Sequence, residues 1–358
     1  MKKLLIILLC LPIIGFGQQT YVPDDNFENY LEANGMGNGI AYDDYVTTIN
    51  IDTVPFLNVS GQSISDLTGI EDFISIAYLQ CNDNQLTILN LSSNTALSYL
   101  ECWDNQLTTL DLSNNTYLEY LVAYSNNLPD IDLSNNHNLL VLDISDNLLY
   151  SLDLSFQDIQ FVYCKNNQIT DLTIDSYSLK ELDCGNNPVF LFDATNHPNL
   201  EYLEIYNTSI FNIDLSQNLD LSFLSIGSNP NLWSLDLSNN YNLEFLDVWA
   251  NSLSYLDMRN GNNQNMSYFV SWQCWNSQYL ECISVDDSIY STNNWTSIDP
   301  WQYFSNNCEG TTSIEENTTI KKLFKITDLL GRETKEKRNT PLFYIYDDGT
   351  VEKRITIE

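Results

Sequence analysis

The sequence predicts a β-rich solenoid. A parallel sheet is wound from short repeats with few helices, is closed by a cap at each end, and is followed by a small C-terminal β-domain. Three observations carry this expectation. Apolar positions recur at a fixed period through the middle of the chain, an asparagine recurs in the same frame, and the charge balance changes abruptly near the C-terminus.

The period is read from Leu79, Leu100, Leu121, Leu142, Val162, Leu182, Leu203, Leu224 and Leu246, spaced by 21, 21, 21, 20, 20, 21, 21 and 22 residues. Five residues after each comes Asn84, Asn105, Asn126, Asn147, Asn167, Asn187, Thr208, Asn229 or Asn251. Around each lead position apolar residues alternate with others, the period of a strand. An asparagine just beyond a strand can bond the backbone of the turn that leaves it. One such unit cannot bury its apolar side alone, so the units must stack.

This frame resembles the leucine-rich repeat, L-x-x-L-x-L-x-x-N-x-L, in its short bacterial, internalin-like form, over about residues 49–258. The resemblance implies a leucine-rich-repeat solenoid with its parallel sheet on a concave face. The expected organisation is an export signal at 1–17, an N-terminal cap with an irregular first repeat at 18–76, the array at 77–260, a C-terminal cap at 261–310 and a β-domain at 313–358. A short helix over 23–33, with Phe27, Tyr30 and Leu31 on one face, would close the first end. At the other end Trp295 and Trp301 lie between Cys282 and Cys308, which are expected to form a disulfide, with Cys274 as the alternative partner. Cys81, Cys102, Cys164 and Cys184 share one inward position and are read as buried thiols, cross-strand pairing being the other option.

The N-terminus sets the expected compartment. Lys2 and Lys3 precede an apolar run from Leu4 to Ile14, and Gly15 and Gly17 follow. This is the layout of a cleaved signal peptide, too short to span a bilayer. A secreted or outer cell-surface protein is therefore expected. From residue 18 to 312 the chain carries 3 basic residues against 39 carboxylates, near −36. Such a body is repelled by nucleic acid and by anionic lipid.

If the lead residues point inward, their neighbours form columns on the concave face. The ligand-binding residues expected there are Tyr78, Tyr99, Tyr120, Phe161, Tyr202 and Phe245 in one column. Glu101, Asp143, Tyr163, Asp183, Glu204 and Asp247 make the second, and Trp103, Tyr124, Tyr206 and Trp249 the third. Exposed aromatics in such density mark recognition surfaces. The carboxylates would suit a basic protein or peptide, and equally a glycan whose hydroxyls they accept. The competing reading is a spacer in which stacked rings stabilise the sheet.

Elsewhere Asp111, Asp132, Asp153, Asp193, Asp214, Asp236 and Asp257 repeat as a second acidic column, read as a solvated face. No cofactor is implied. Ca²⁺ is the one ion whose chemistry these carboxylates, or the stretch Asn34–Gly39 with Asp43 and Asp44, would suit. His137 and His197 are read as equivalent turn residues. No nucleophile elbow or phosphate-cradling loop occurs, so no enzyme is expected.

The last segment differs. Asp328-Leu329-Leu330-Gly331-Arg332 and Tyr344-Ile345-Tyr346-Asp347-Asp348-Gly349 read as strands joined by glycine turns. From 313 to 358 the balance is 9 basic to 9 acidic. This resembles the C-terminal sorting domain of the type IX secretion system, without its leading Pro-Asn-Pro segment. The resemblance implies recognition of the tail by secretion machinery.

Overall fold

The computed structural model describes residues 17–271, 280–308, 323–335, 337, 340–346 and 349–354. The apolar run of the export segment, Cys274 and the charge boundary near 312 lie outside the described residues.

One sheet of 11 strands dominates the described residues. It begins at Phe56–Asn58, runs through Tyr78–Gln80, Tyr99–Glu101, Tyr120–Val122, Val141–Asp143, Phe161–Tyr163, Glu181–Asp183, Tyr202–Glu204 and Phe223–Ser225, and ends at Phe245–Asp247 and Tyr268–Val270. Neighbours pair in parallel with lead residues opposite one another, Leu79 on Leu100 and Leu100 on Leu121. Successive strands here are successive turns of a coil. The sheet thus runs one strand beyond the nine repeats at either end.

The nine lead side chains are at most 1% exposed and stack into one continuous core. Cys81, Cys102, Cys164 and Cys184 are free thiols buried in it. Burial holds each thiol well above its ordinary pKa, Cys102 at about 12, so these cysteines stay protonated and behave as small apolar residues.

Each recurring asparagine ties two turns together. The Asn126 Oδ1 accepts the Leu107 N–H at 3.0 Å, while its Nδ2 donates to the carbonyls of Cys102 at 3.0 Å, Ala123 at 3.2 Å and Tyr124 at 3.3 Å. At Thr208, which breaks the series, the Asn229 Oδ1 accepts both the backbone N–H and the hydroxyl of the threonine. A second buried spine was not evident from the sequence frame. Asn94, Asn115, Asn136, Asn218 and Asn240 each donate Nδ2 to carbonyls of the preceding turn, and Gln157 does the same once. Between the strands and these turns the residue before each first-spine amide, for example Asp104, Asn166 or Ser228, has positive φ of 50 to 57°. Short polar side chains tolerate that conformation best after glycine.

Both ends are closed. The N-terminal helix spans Asp25–Ala33 rather than starting at Pro23, because Asp24 is its N-cap and accepts from the Asn26 and Phe27 N–H groups. The other Asp24 oxygen accepts from Ser65 and Asp66, joining the helix to the first turn. Phe27 and Leu31 are buried as expected, but Glu28 is the third buried residue and Tyr30 lies only partly covered. A strand pair of Gln19–Tyr21 with Tyr45–Thr47 completes this cap.

At the far end Phe269, Trp295 and Phe304 pack together, with ring centroids 5.1 to 6.1 Å apart. Trp301 is not part of that cluster: it is 46% exposed, one residue ahead of the buried Gln302. A disulfide joins Cys282 and Cys308, Cα to Cα 5.7 Å. Leu323–Thr327, Leu342–Tyr346 and Val351–Arg354 form an antiparallel three-stranded sheet. Gly331 at φ 71° and Gly349 at φ 77° occupy its turns, and Asp328 pairs with Arg332 across the first.

Candidate ligand-binding face

Strand register alone builds the outer face of the long sheet. Tyr78, Tyr99 and Tyr120 lie side by side, with ring centroids 5.6 and 4.4 Å apart. Further along, Tyr202, Phe223, Phe245 and Tyr268 form a second stack at 4.2, 4.0 and 4.4 Å, all within 14° of parallel. Such offset-stacked pairs stabilise a sheet by up to about 1 kcal/mol each. Tyr268 and also Phe56, 55% exposed beside Tyr78, extend the column beyond the nine repeats. Their signal was an aromatic-apolar-x triplet 22 residues before Leu79 and 23 after Leu246. Between the two stacks the column holds Val141, Phe161 and Glu181.

The second column is acidic and half-buried. Tyr99 donates to Glu101, Tyr202 to Glu204, and Tyr163 to Glu181 at 2.5 Å. Burial first, and then these carboxylate partners, hold all three phenols above their ordinary pKa. Burial also pushes Asp143, Glu204 and Asp247 above the usual carboxylate range. Asp183 and Lys165 act on both Asp143 and Glu204, the first raising and the second lowering. Asp183 is 3% exposed and pairs with Lys165 at 3.1 Å. The centre of the face thus gathers Asp143, Glu181, Asp183 and Glu204 on neighbouring strands, with the Lys165 ammonium paired to Asp183 and acting on Asp143 and Glu204. Val122, in the same column, is buried and contributes an apolar break.

In the third column Trp103 and Tyr124 stack at 5.1 Å. Tyr206 and Trp249 lie flat over the glycines of the turn before. A Cβ added to Gly185 would fall 2.3 Å from the Tyr206 ring, and one on Gly227 2.4 Å from the Trp249 ring. These glycines were not singled out by pattern, since only the coil brings residues 21 or 22 positions apart into contact.

The other acidic column has a local job. Asp111, Asp132, Asp153, Asp193, Asp214 and Asp236 each accept the backbone N–H two residues on, an Asx turn in six coils. Thr173 holds the place between Asp153 and Asp193, and Asp257 is not on a solvated face but buried and paired with Arg259. The two histidines are not equivalent. His137 is exposed, whereas His197 takes a place in the second spine, stacked on Phe192 with its Nδ1 2.7 Å from the Ser176 carbonyl. Burial holds its pKa below the usual value. The stretch Asn34–Gly39 curls around the Glu32 carboxylate, which accepts from the Asn38 and Gly39 N–H groups. Beside it, oxygens of Asp25, Glu28 and Asp44 lie within 4.8 Å of one another, and Glu28 accepts from the Asp43 and Asp44 backbone.

Among solved structures the functional domain of InlJ from Listeria monocytogenes, which includes a cysteine ladder, matches with a TM-score of 0.62 at 28% identity over 75% of this chain. The chain has the leucine-rich-repeat fold. It spans 66% of the length of that InlJ chain. The leucine-rich-repeat domain of APL1B matches with a TM-score of 0.51 at 18% identity, covering 62% of this chain and 77% of that one. The Arabidopsis receptor kinase HAESA, solved in complex with the peptide hormone IDA and the co-receptor SERK1, gives 0.51 at 20% identity, covering 63% and 46%. No protein-family model matches the sequence, and no curated relative does. No helix of the described residues is long and apolar enough to cross a membrane.

Proposed function

We propose that this leucine-rich-repeat chain is an exported, non-enzymatic binding protein that recognises an extracellular protein, peptide or glycan on the outer face of its long sheet. The observation that carries this is the face itself: ring stacks and half-buried carboxylates held in register across the strands. Carboxylates whose burial disfavours their charge weaken the fold, and residues kept at such a cost mark functional surfaces. The likeness to InlJ and to one receptor solved with its peptide hormone supports a binding role. The basic and apolar N-terminus and the change of charge at the tail support export, with the three C-terminal strands as the address read by secretion machinery. The reading invokes no cofactor.

The test replaces Tyr99, Trp103, Tyr124 and Tyr206 together with serine. Expected is loss of adhesion to partner cells or immobilised matrix, with the cooperative melt retained. A variant that melts lower yet adheres as before would leave the face as a structural spacer.

A further inference from the structure

The centre of the face differs from its two flanks in a way that points to the partner's charge. The ring column is interrupted at Val141 and Glu181, which flank Phe161, and at Glu181 a carboxylate replaces an aromatic. Across these strands and Tyr202–Glu204 stand four carboxylates, Asp143, Glu181, Asp183 and Glu204, of which Asp183 pairs with the Lys165 ammonium. Phenols stand among them, Tyr163 bonded to Glu181 and Tyr206 laid over Gly185.

Resting on the reading that this face binds a ligand, we infer that the ligand is a cationic, arginine-bearing stretch of extended polypeptide. It would lie across the strands with its guanidinium groups among Asp143, Glu181, Asp183 and Glu204. Charge complementarity favours this over a glycan, because neutral hydroxyls would leave Asp143, Glu181 and Glu204 without a countercharge of their own, Lys165 being paired with Asp183. Arginine fits better than lysine: its planar group pairs bidentately with carboxylates and stacks on tyrosine faces in the same pose. The dimensions agree. Three strand steps of ~4.8 Å separate the Asp143 and Glu204 strands, and an extended chain presents same-side residues every ~6.7 Å, so two or three arginines span the strip. Apolar residues on either side of them would meet the two ring stacks.

The experiment titrates the full chain against a labelled decapeptide of alternating arginine and threonine, its lysine counterpart, a serine counterpart and chitohexaose. Expected is tighter binding of the arginine peptide than of the lysine peptide at one salt concentration. The variant Asp143→Asn, Glu181→Gln, Glu204→Gln, which keeps shape and spares the buried Asp183, should weaken the arginine peptide by about 30-fold. An equal charge change on exposed carboxylates elsewhere, Asp130→Asn, Asp171→Asn, Asp175→Asn, should weaken it less than about threefold, as expected for diffuse attraction. Equal weakening by both sets, or no binding of the arginine peptide, overturns the inference. Binding of chitohexaose or the serine peptide that the four-serine variant abolishes would overturn it while leaving the binding face in place.

Discussion

Asn126 and Asp111 both belong to series that recur along the coil, and both bond to backbone, yet the molecule depends on them very differently. The Asn126 amide is buried and bonds to four backbone groups drawn from two turns. The Asp111 carboxylate is exposed and accepts from Ser113, 3.0 Å away within its own turn. The face carboxylates Asp143 and Glu204 stand between these cases, half-buried and crowded by like charge. Periodicity alone does not rank a residue. What ranks it is whether water can replace the bond that the residue makes.

The largest effect is therefore expected in the amide spine. Asn126→Ala strands several buried backbone groups and should cost about 3 kcal/mol in urea unfolding. A loss under about 1 kcal/mol would mean that the neighbouring turns can make these bonds without the amide. The intermediate case is read through pH. Asp143 and Glu204 have raised folded-state pKa values, so they bind protons more readily folded than unfolded. Their contribution is present below the unfolded pKa and is lost as pH rises through the folded one. At neutral pH they are a burden that acidification through their raised folded-state pKa relieves. Asp143→Asn should thus raise the melting temperature at pH 7 by about 2 °C and flatten its rise on acidification. Asp24 runs the other way: burial opposes its charge, but hydrogen bonds from Ser65, Phe27 and Asp66 hold its pKa below the ordinary value. Its contribution is present above pH 4 and is lost only as pH falls through the lowered folded value. An unchanged melt for Asp143→Asn would remove the ground for treating the face as retained at a cost. The smallest effect belongs to Asp111→Asn, which keeps an acceptor in the Asx turn and should leave the melting temperature within about 1 °C.

The solenoid was legible because its signals are periodic and local. Lead residues, amides and columns can all be counted along the chain, and strand alternation then says which side chains share a face. What escaped depends on the third dimension. Whether Asn136 faces the core or solvent is not visible in a run of polar turn residues, so the second spine was missed and His197 was matched to the wrong neighbour. Gly185 and Gly227 carry meaning only because an aromatic from the next turn lies on them. Trp301 reads like Trp295 in sequence, but only Trp295 lies against Phe269 and Phe304.

The first-spine amides also constrain how the protein can change length. Each one reaches only into the turn before it, and equivalent positions carry nearly the same partners from turn to turn. Excising one whole unit would leave every remaining amide facing a carbonyl of the same kind, whereas removing three or four residues would leave two turns out of step. The outer face of the sheet can therefore be trimmed or lengthened in whole tiles by recombination within the gene, with the ends left untouched.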